Sequence, residues 1–587
     1  MYLETINQPS DVKKLTASDR ESLAQEMRDA LLEKLSLRGG HFGSNFGMVE
    51  ATIALHCVFD SPRDKFVFDV SHQSYCHKML TGRKDAFLYA DKYGEVSGYT
   101  CPEESAHDLF NIGHTATSIS LACGLAKARD LMRGQENVIA IIGDGSLSGG
   151  EAYEGLDYAW ELHSNLIVVV NDNGMAIGDN HGGLYQNLKL LRETNGAAPC
   201  NLFKALGFDY RFVEDGNAIE PLIRAFQEVK DIDHPVVVHI CTQKGKGYAP
   251  AEADKEMWHW RPPFNIETGN MKRATGGESY DTVLRDYLLD RMEKDPKFVA
   301  LVAAVPLSIR FTQAERLKAG KQFVDVGIAE EHAVSMAAGI ARAGGRAVFT
   351  TDCTFFQRTY DQIAQELCIN RCPATLLVRN ASVFGMSDIT HLGIFDIPFM
   401  SNIPNLVYLA PTAKEEYMAM LDWSIEQNEH PVAIRIPRNG FVTTGEPVDT
   451  DYSSLNQYKI TVKGSKIAIL ALGDFYQLGE AAAAAIQEKN GIQPTLINPR
   501  YITGLDQDLL RKLEDTHTVV VTLEDGILNG GFGEKIASFY GPSRTRVLNY
   551  GLKKEFIDRY AVDEILKENR LTPEQIAEDV SALLTRS

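Results

Sequence analysis

Two apolar runs, VIAII and NLIVVV, each stop at a short polar residue, and the chemistry of this chain begins there. The stretch GDGSLSGGEAYEGLDYAWELHSNLIVVVNDNGM, from Gly143 to Met175, puts Asp144 after the first run and Asn173 after the second. If the runs are parallel neighbours in one sheet, both residues arrive at the edge where α/β sheets bind ligands. A carboxylate and an amide oxygen are hard ligands, suited to Mg²⁺ that is also held by phosphate oxygens. The glycines around Asp144 let backbone N–H groups approach a phosphate, and the helix that follows adds a favourable dipole. Taken singly, such an Asp is most often a cap and such an Asn a turn residue. Together, at this spacing, they read as a metal–diphosphate clamp.

The elements that must carry these residues are legible as a pattern. Short β-branched runs (NVIAII, NLIVVV, PVVVHI, KFVALVAA, RAVFTT, ATLLVR, NLVYLAP, PVAIRI, KIAILAL, PTLINP and TVVVTLE) alternate with amphipathic helical stretches. Runs buried on both faces and separated by helices predict an α/β fold with mainly parallel sheets. They fall into three groups. The polar, Pro- and Gly-rich ADKEMWHWRPPFNIETGNMKRATGGES reads as a linker after the first, and EPVDTDYSSLNQY as a boundary before the last. The expected domains are 1–270, 271–448 and 449–587. Near the N-terminus an amphipathic helix is expected, with Ser18 or Asp19 as its cap.

Composition narrows the function. The 587 residues are 44% hydrophobic and 24% charged, an ordinary globular balance. A net charge of −20 disfavours nucleic acid or an anionic membrane surface as partner. No apolar run is long enough to span a bilayer, and no signal core opens the chain. The nine cysteines are scattered, and Cys368 and Cys372 lack the spacing of a zinc or redox pair, so reduced thiols in a cytoplasm are expected.

Beyond the GDG and NDN motifs, the chain carries GGHFGSNFGMVEATIALHCVFDSPRDKFVFDVSHQSYCHKMLTGRKD, FNIGHTATSIS, TQKGKGYAPAE, DVGIAEEHAVSMAAGIA, TFFQRTYDQI, RIPRNG and TLEDGILNGGFGE. In this order, over nearly the full length, it resembles the 1-deoxy-D-xylulose-5-phosphate synthase family, which is transketolase-like and uses thiamine diphosphate. The resemblance implies three transketolase-like α/β domains: one for the diphosphate and Mg²⁺, one for the aminopyrimidine, and a C-terminal one supporting a homodimer. Whether a site lies within one subunit or across two stays open.

The resemblance also implies roles. Asp144, Asn173 and the Met175 carbonyl match the Mg²⁺ ligands. His72, Gly113, His114, Thr115, Gly145, Ser146, Asn173 and Tyr248 match positions lining the cofactor, and Phe355 the aromatic that stacks on the aminopyrimidine. Glu330 matches the carboxyl group that meets the pyrimidine nitrogen. A hydrogen bond from a carboxylic acid there favours the imino tautomer and so activates the cofactor. His41, His114, His259 and His391 match the family's catalytic imidazoles, suited to proton transfer near neutral pH.

Departures cluster at the acceptor end. The segment after NDN is shortened. Pro102, Asp352 and Asn380 stand where the family has arginine, tyrosine and arginine, and MSDITH puts Ser387 in place of an aspartate, with Asp388 one position late. Only Arg438 remains of the phosphate-facing arginines that the resemblance implies, with Arg358, Arg379 and nearby lysines as the alternative means of rebuilding the site in another geometry; Asp352 is expected to add repulsion, and Arg379 to help only if its loop is re-registered. The expected reaction is decarboxylation of pyruvate and transfer of the two-carbon unit to D-glyceraldehyde 3-phosphate. The alternatives are another aldehyde acceptor, free or differently charged, a ketose donor as in transketolase, or a non-catalytic paralogue. Retention of Glu330, Asp144 and Asn173 weighs against the last.

Overall fold

The computed structural model describes residues 1–272, 277–438 and 440–585. They form two compact units: Met1–Gly277 with Gly327–Ala329, and Glu278–Val326 with Glu330–Ser587.

The first unit is built on a five-stranded parallel sheet in the spatial order Lys65–Phe68, Val138–Gly143, Leu166–Asp172, Pro235–Cys241, Asp209–Val213. Its central strands are apolar along most of their length because both faces are covered, with Asn171, Asp172 and His239 as polar residues toward their C-terminal ends. Ile139, Ile141, Ile167 and Val169 join one core, and Ala140, Ile142, Val168 and Val170 the other. Gly143 pairs with Asn171, so the residues that follow leave the sheet at the same edge.

One expectation fails in this unit, and a second holds only in part, since the boundary between the units, at Gly277, falls inside the stretch read as a linker. The first long helix, Ala17–Arg38, is capped by Thr16, whose hydroxyl accepts the Asp19 N–H while Asp19 answers in a capping box. Ser18 and Asp19 lie inside the helix, since a threonine followed three residues later by an acid closes both orphan donors. The stretch read as a linker is mostly exposed or half-buried but is pinned to the first unit by its aromatic residues. Trp258 and Phe264 are buried, Arg261 lies over the Trp258 ring, and Trp260–Arg261 pairs antiparallel with Gly40–His41. Aromatic anchors outweigh the Pro and Gly content there. Residues 273–276 of that stretch lie outside the described residues.

The second unit holds two sheets. One is fully parallel, ordered Val407–Leu409, Val432–Arg435, Thr375–Arg379, Arg346–Asp352, Phe298–Val302, Phe323–Asp325. The other runs Lys459–Val462, Thr495–Asn498, Lys466–Ala471, His517–Ile527, Arg546–Leu552, with only its first strand antiparallel. The segment EPVDTDYSSLNQY is fastened by buried Tyr452, whose carbonyl accepts the Tyr501 hydroxyl at 2.8 Å.

Candidate active site

In the first unit, the turn after Val138–Gly143 buries Asp144 to 1% exposure. Burial and nearby Asp172 push its carboxyl well above the usual carboxylate range. Asn180 donates to Asp144 Oδ2 at 2.8 Å. Asp172 is engaged elsewhere, by Arg192 and by His239 Nε2 at 2.9 Å, which hold it ionised against the pull of burial. Asn173 Oδ1 and Asn180 Oδ1 are buried acceptors without a hydrogen-bond partner. Orphaned acceptors cost free energy, and a cation beside a carboxylate would satisfy them. Met175 sits in a turn closed by a bridge to Asp179. Among the described residues no three His, Cys, Asp or Glu side chains converge on a metal site. One carboxylate with amide and carbonyl oxygens therefore fits Mg²⁺ whose remaining ligands are phosphate oxygens and water. Gly145 leaves no room for a side chain, since a Cβ there would meet Ala176 at 2.7 Å.

Sequence reasoning passed over three residues of this group. Lys244, in TQKGKGY, is 2% exposed and donates to the Ala176 carbonyl at 2.7 Å. Burial lowers its ammonium to about 8, opposed by the charge of Asp144. A lysine followed at once by glycine in a matched motif was the available signal. Asn180 gave none. Asp69 is 1% exposed and is hydrogen-bonded by the Ser146 side chain and the backbone of Ala116 and Ser118.

Three of the predicted histidines converge. The rings of His41 and His72 lie 4.9 Å apart, His41 and His259 5.6 Å, and His72 and His259 5.3 Å. The ribbon explains the meeting, because His41 pairs with Trp260, next in the chain to His259. His259 Nδ1 is buried without a hydrogen-bond partner. Burial, with Lys244, His72 and His41 nearby, drives the His259 imidazole well below its ordinary pKa, so it is neutral near pH 7. Gly113 is buried, and His114 and Thr115 are half-buried in the segment leading to the helix Ser118–Leu131. Tyr248 stands in an aromatic core with Phe42, Trp258 and Phe264, and its hydroxyl is spent on the Ile266 carbonyl at 2.7 Å.

In the second unit Glu330 opens the helix Glu330–Arg342 and is 3% exposed. Its Oε2 has no hydrogen-bond partner, and Arg358 lies 3.6 Å away. Burial pushes the carboxyl up to about 7, opposed by Arg358. The Phe355 ring meets His391 edge-on at 5.6 Å. His391 Nδ1 lies 3.0 Å from Asp388 Oδ1, so the late aspartate still reaches its histidine.

The acceptor-end residues differ from expectation. Asp352 is not an unopposed charge: Arg379 pairs with it at 3.4 Å. Arg379 is itself buried and committed, to Asp281, to the Ser308 hydroxyl at 2.8 Å and to the Ser308 carbonyl at 2.8 Å. Asn380 adopts φ 51°, a left-handed conformation that asparagine tolerates better than most residues. Arg438 is exposed. In the first unit, near Pro102, the buried cations Lys78 and Arg83 are matched by Glu104 and Asp108.

Comparisons with known proteins agree with these motifs. Residues 3–198 and 193–242 match the family model "1-deoxy-D-xylulose-5-phosphate synthase". Residues 278–442 match the pyrimidine binding domain of transketolase, and 456–576 its C-terminal domain. A protein named 1-deoxy-D-xylulose-5-phosphate synthase 1 from Geobacter sulfurreducens is 37% identical over 599 residues, 95% of this chain and 93% of that one. A 1-deoxy-D-xylulose-5-phosphate synthase from Halalkalibacterium halodurans is 35% identical over 627 residues, 100% of this chain and 99% of that one. Among solved structures, a transketolase from Campylobacter jejuni is 16% identical with a TM-score of 0.45, covering 97% of this chain and 100% of that one.

Proposed function

The chain belongs to the 1-deoxy-D-xylulose-5-phosphate synthase family, and on that premise we propose that it is a thiamine diphosphate- and Mg²⁺-dependent carboligase. It decarboxylates pyruvate and joins the two-carbon unit to D-glyceraldehyde 3-phosphate, giving 1-deoxy-D-xylulose 5-phosphate. The observation that carries this reading is Glu330: a buried carboxyl, raised to about 7, with an oxygen that has no hydrogen-bond partner. Such a group holds a proton near neutral pH and can offer it to a heterocyclic nitrogen.

Asp144, Asn173 and the Met175 carbonyl would hold Mg²⁺, and His72, Gly113, His114, Thr115, Gly145, Ser146 and Tyr248 would line the cofactor, with Phe355 stacked on its pyrimidine. When bound, thiamine diphosphate supplies the carbon nucleophile that 2-oxoacid decarboxylation requires. The protein's own part is to orient and to move protons. His41 and His259 would hold the donor carboxylate and carbonyl, with His114 and His391 as further imidazoles. Three functional domains, 1–270, 271–448 and 449–587, assembled as a homodimer in the cytoplasm, complete the reading. Support comes from the nine free cysteines, from exposed Tyr153, Tyr158 and Trp160 that a second copy would cover, and from the lack, among the described residues, of any helix long and apolar enough to cross a membrane.

The test is incubation of the purified protein with pyruvate and a panel of phosphorylated and free aldehydes, with products identified by mass. Formation of 1-deoxy-D-xylulose 5-phosphate is expected. Cleavage of xylulose 5-phosphate with pyruvate untouched would make it a transketolase. A second reading, with an unphosphorylated acceptor, is favoured by one observation: Arg379, Lys78 and Arg83 are already matched by carboxylates.

A further inference from the structure

The turn Asp69–His72 is built against local preference. Val70 and Ser71 have φ of 58° and 67°, and Ala116, just past His114 and Thr115, has 75°. These are left-handed values, costly for residues other than glycine and most of all for a β-branched one. Such strain persists where surrounding contacts over-determine it.

Those contacts meet at two side chains. Asp69 accepts the N–H groups of Ala116 and Ser118, at 2.9 and 3.0 Å. The Ser71 hydroxyl, fully buried, donates to the Ile112 carbonyl at 2.7 Å and accepts the Thr100 N–H at 2.8 Å. Ile112 directly precedes Gly113. Thr100 follows Tyr99, whose ring lies edge-on to His41 at 5.8 Å. Further along the same loop, Asp108 is held by Arg83 and by His77 Nε2 at 3.2 Å, and Glu104 by Lys78. Within the loop, Glu104 and Asp108 also accept the N–H groups of Ser97 and Cys101, on either side of Thr100, and the Thr100 hydroxyl donates to the Phe110 carbonyl at 2.7 Å, so the loop is braced internally and the Ser71 hydroxyl ties it to the turn Asp69–His72.

We propose that Ser71 is a positioning residue of the diphosphate half of the site. Its hydroxyl fastens the loop carrying Tyr99, and the segment carrying Gly113, His114 and Thr115, to the turn that presents His72. This rests on the reading of that unit as the cofactor-holding one. It explains why a serine stands at φ 67° where glycine would be unstrained. The hydroxyl supplies two bonds that glycine lacks.

The test compares Ser71→Ala, Ser71→Gly and Thr100→Pro in the full-length protein. Calorimetric affinity for thiamine diphosphate in excess Mg²⁺ is read beside the melting temperature. Both Ser71 variants lose the two bonds, but only glycine relieves the backbone, so the Gly variant should melt higher than the Ala variant. If the hydroxyl positions the site, both should bind thiamine diphosphate about tenfold or more weaker despite that difference in stability. Thr100→Pro, which removes the N–H partner, should weaken binding in the same direction. Affinities within twofold of wild type in both Ser71 variants would overturn the proposal, leaving the hydroxyl a purely structural role. Asp144→Ala separates the two levels. If it binds the cofactor normally, the half-site reading itself is wrong; if it fails while the Ser71 variants bind, only the present inference falls.

Discussion

Asp352 and Arg379 end neighbouring strands, stand opposite each other in the sheet register and pair at 3.4 Å. Arg379 reaches past Asp352 to Asp281 and Ser308, so one guanidinium serves two carboxylates and a turn. A cation in that position is a structural strut. It neutralises the aspartate without becoming available to a phosphate.

Acceptor choice is therefore open to experiment. Each charge-assisted arginine–phosphate contact contributes about 1.5–3 kcal/mol, and Pro102 and Asn380 supply none. Asn380→Arg combined with Asp352→Tyr should raise kcat/KM for D-glyceraldehyde 3-phosphate relative to free glyceraldehyde by roughly one to two powers of ten. The left-handed backbone at position 380 costs the variant about 1 kcal/mol of folding stability. Steady-state kinetics on both aldehydes measures it; a wild type already far better with the phosphorylated acceptor, and no gain in the variant, would show that the phosphate is held by other groups.

Cofactor binding should depend on Asp144 more than on any neighbour. Asp144→Ala removes the charged oxygen ligand and leaves diphosphate repulsion uncompensated, so affinity for thiamine diphosphate with Mg²⁺ should fall by more than about 100-fold. Titration calorimetry at fixed Mg²⁺ reads this directly.

Glu330 should be visible in the pH dependence of stability. Burial raises its folded carboxyl to about 7 from the 4.5 of a free glutamate. Between those values the folded state keeps a proton that the unfolded chain has released, so stability falls as pH rises through this window. The penalty is fully developed above pH 7 and absent below about 4.5. Glu330→Gln should therefore melt higher than wild type at pH 8, by on the order of 1–3 kcal/mol less whatever the unanswered Arg358 costs, and the gap should close toward pH 4.5. The same variant should bind the cofactor yet exchange its acidic carbon-bound proton far more slowly, which proton-exchange NMR would show.

His259→Ala should slow release of CO₂ from pyruvate by roughly 10²–10⁴-fold, the usual cost of a lost acid–base group. A merely structural histidine would lower the melting temperature and leave that rate nearly intact.

Much of this was legible in residue order. All eleven apolar runs form strands, because a strand covered on both faces must be apolar at consecutive positions, and that is a local signal. Among the strands that went unread, Lys65–Phe68 is apolar but only four residues long, and Phe323–Asp325 and Lys459–Val462 are short and part-exposed, with patterns that resemble loops. Asp144, Asn173 and Glu330 were readable because each ends or begins an element within a matched motif.

Other facts exist only in three dimensions. A local reading cannot foresee that Trp258 and Phe264 bury themselves and pin an apparent linker to the first unit, since burial depends on what lies opposite. Nor can it show that Arg379 is consumed by Asp281, 98 positions away in the chain, or that Ser71 joins Thr100 to Ile112. Residue types and their periods set which elements form and which groups stand at their ends. Which of those groups find a partner, and so which charges are spent and which acceptors stay orphaned, follows from contacts between distant segments, and only the folded chain decides it.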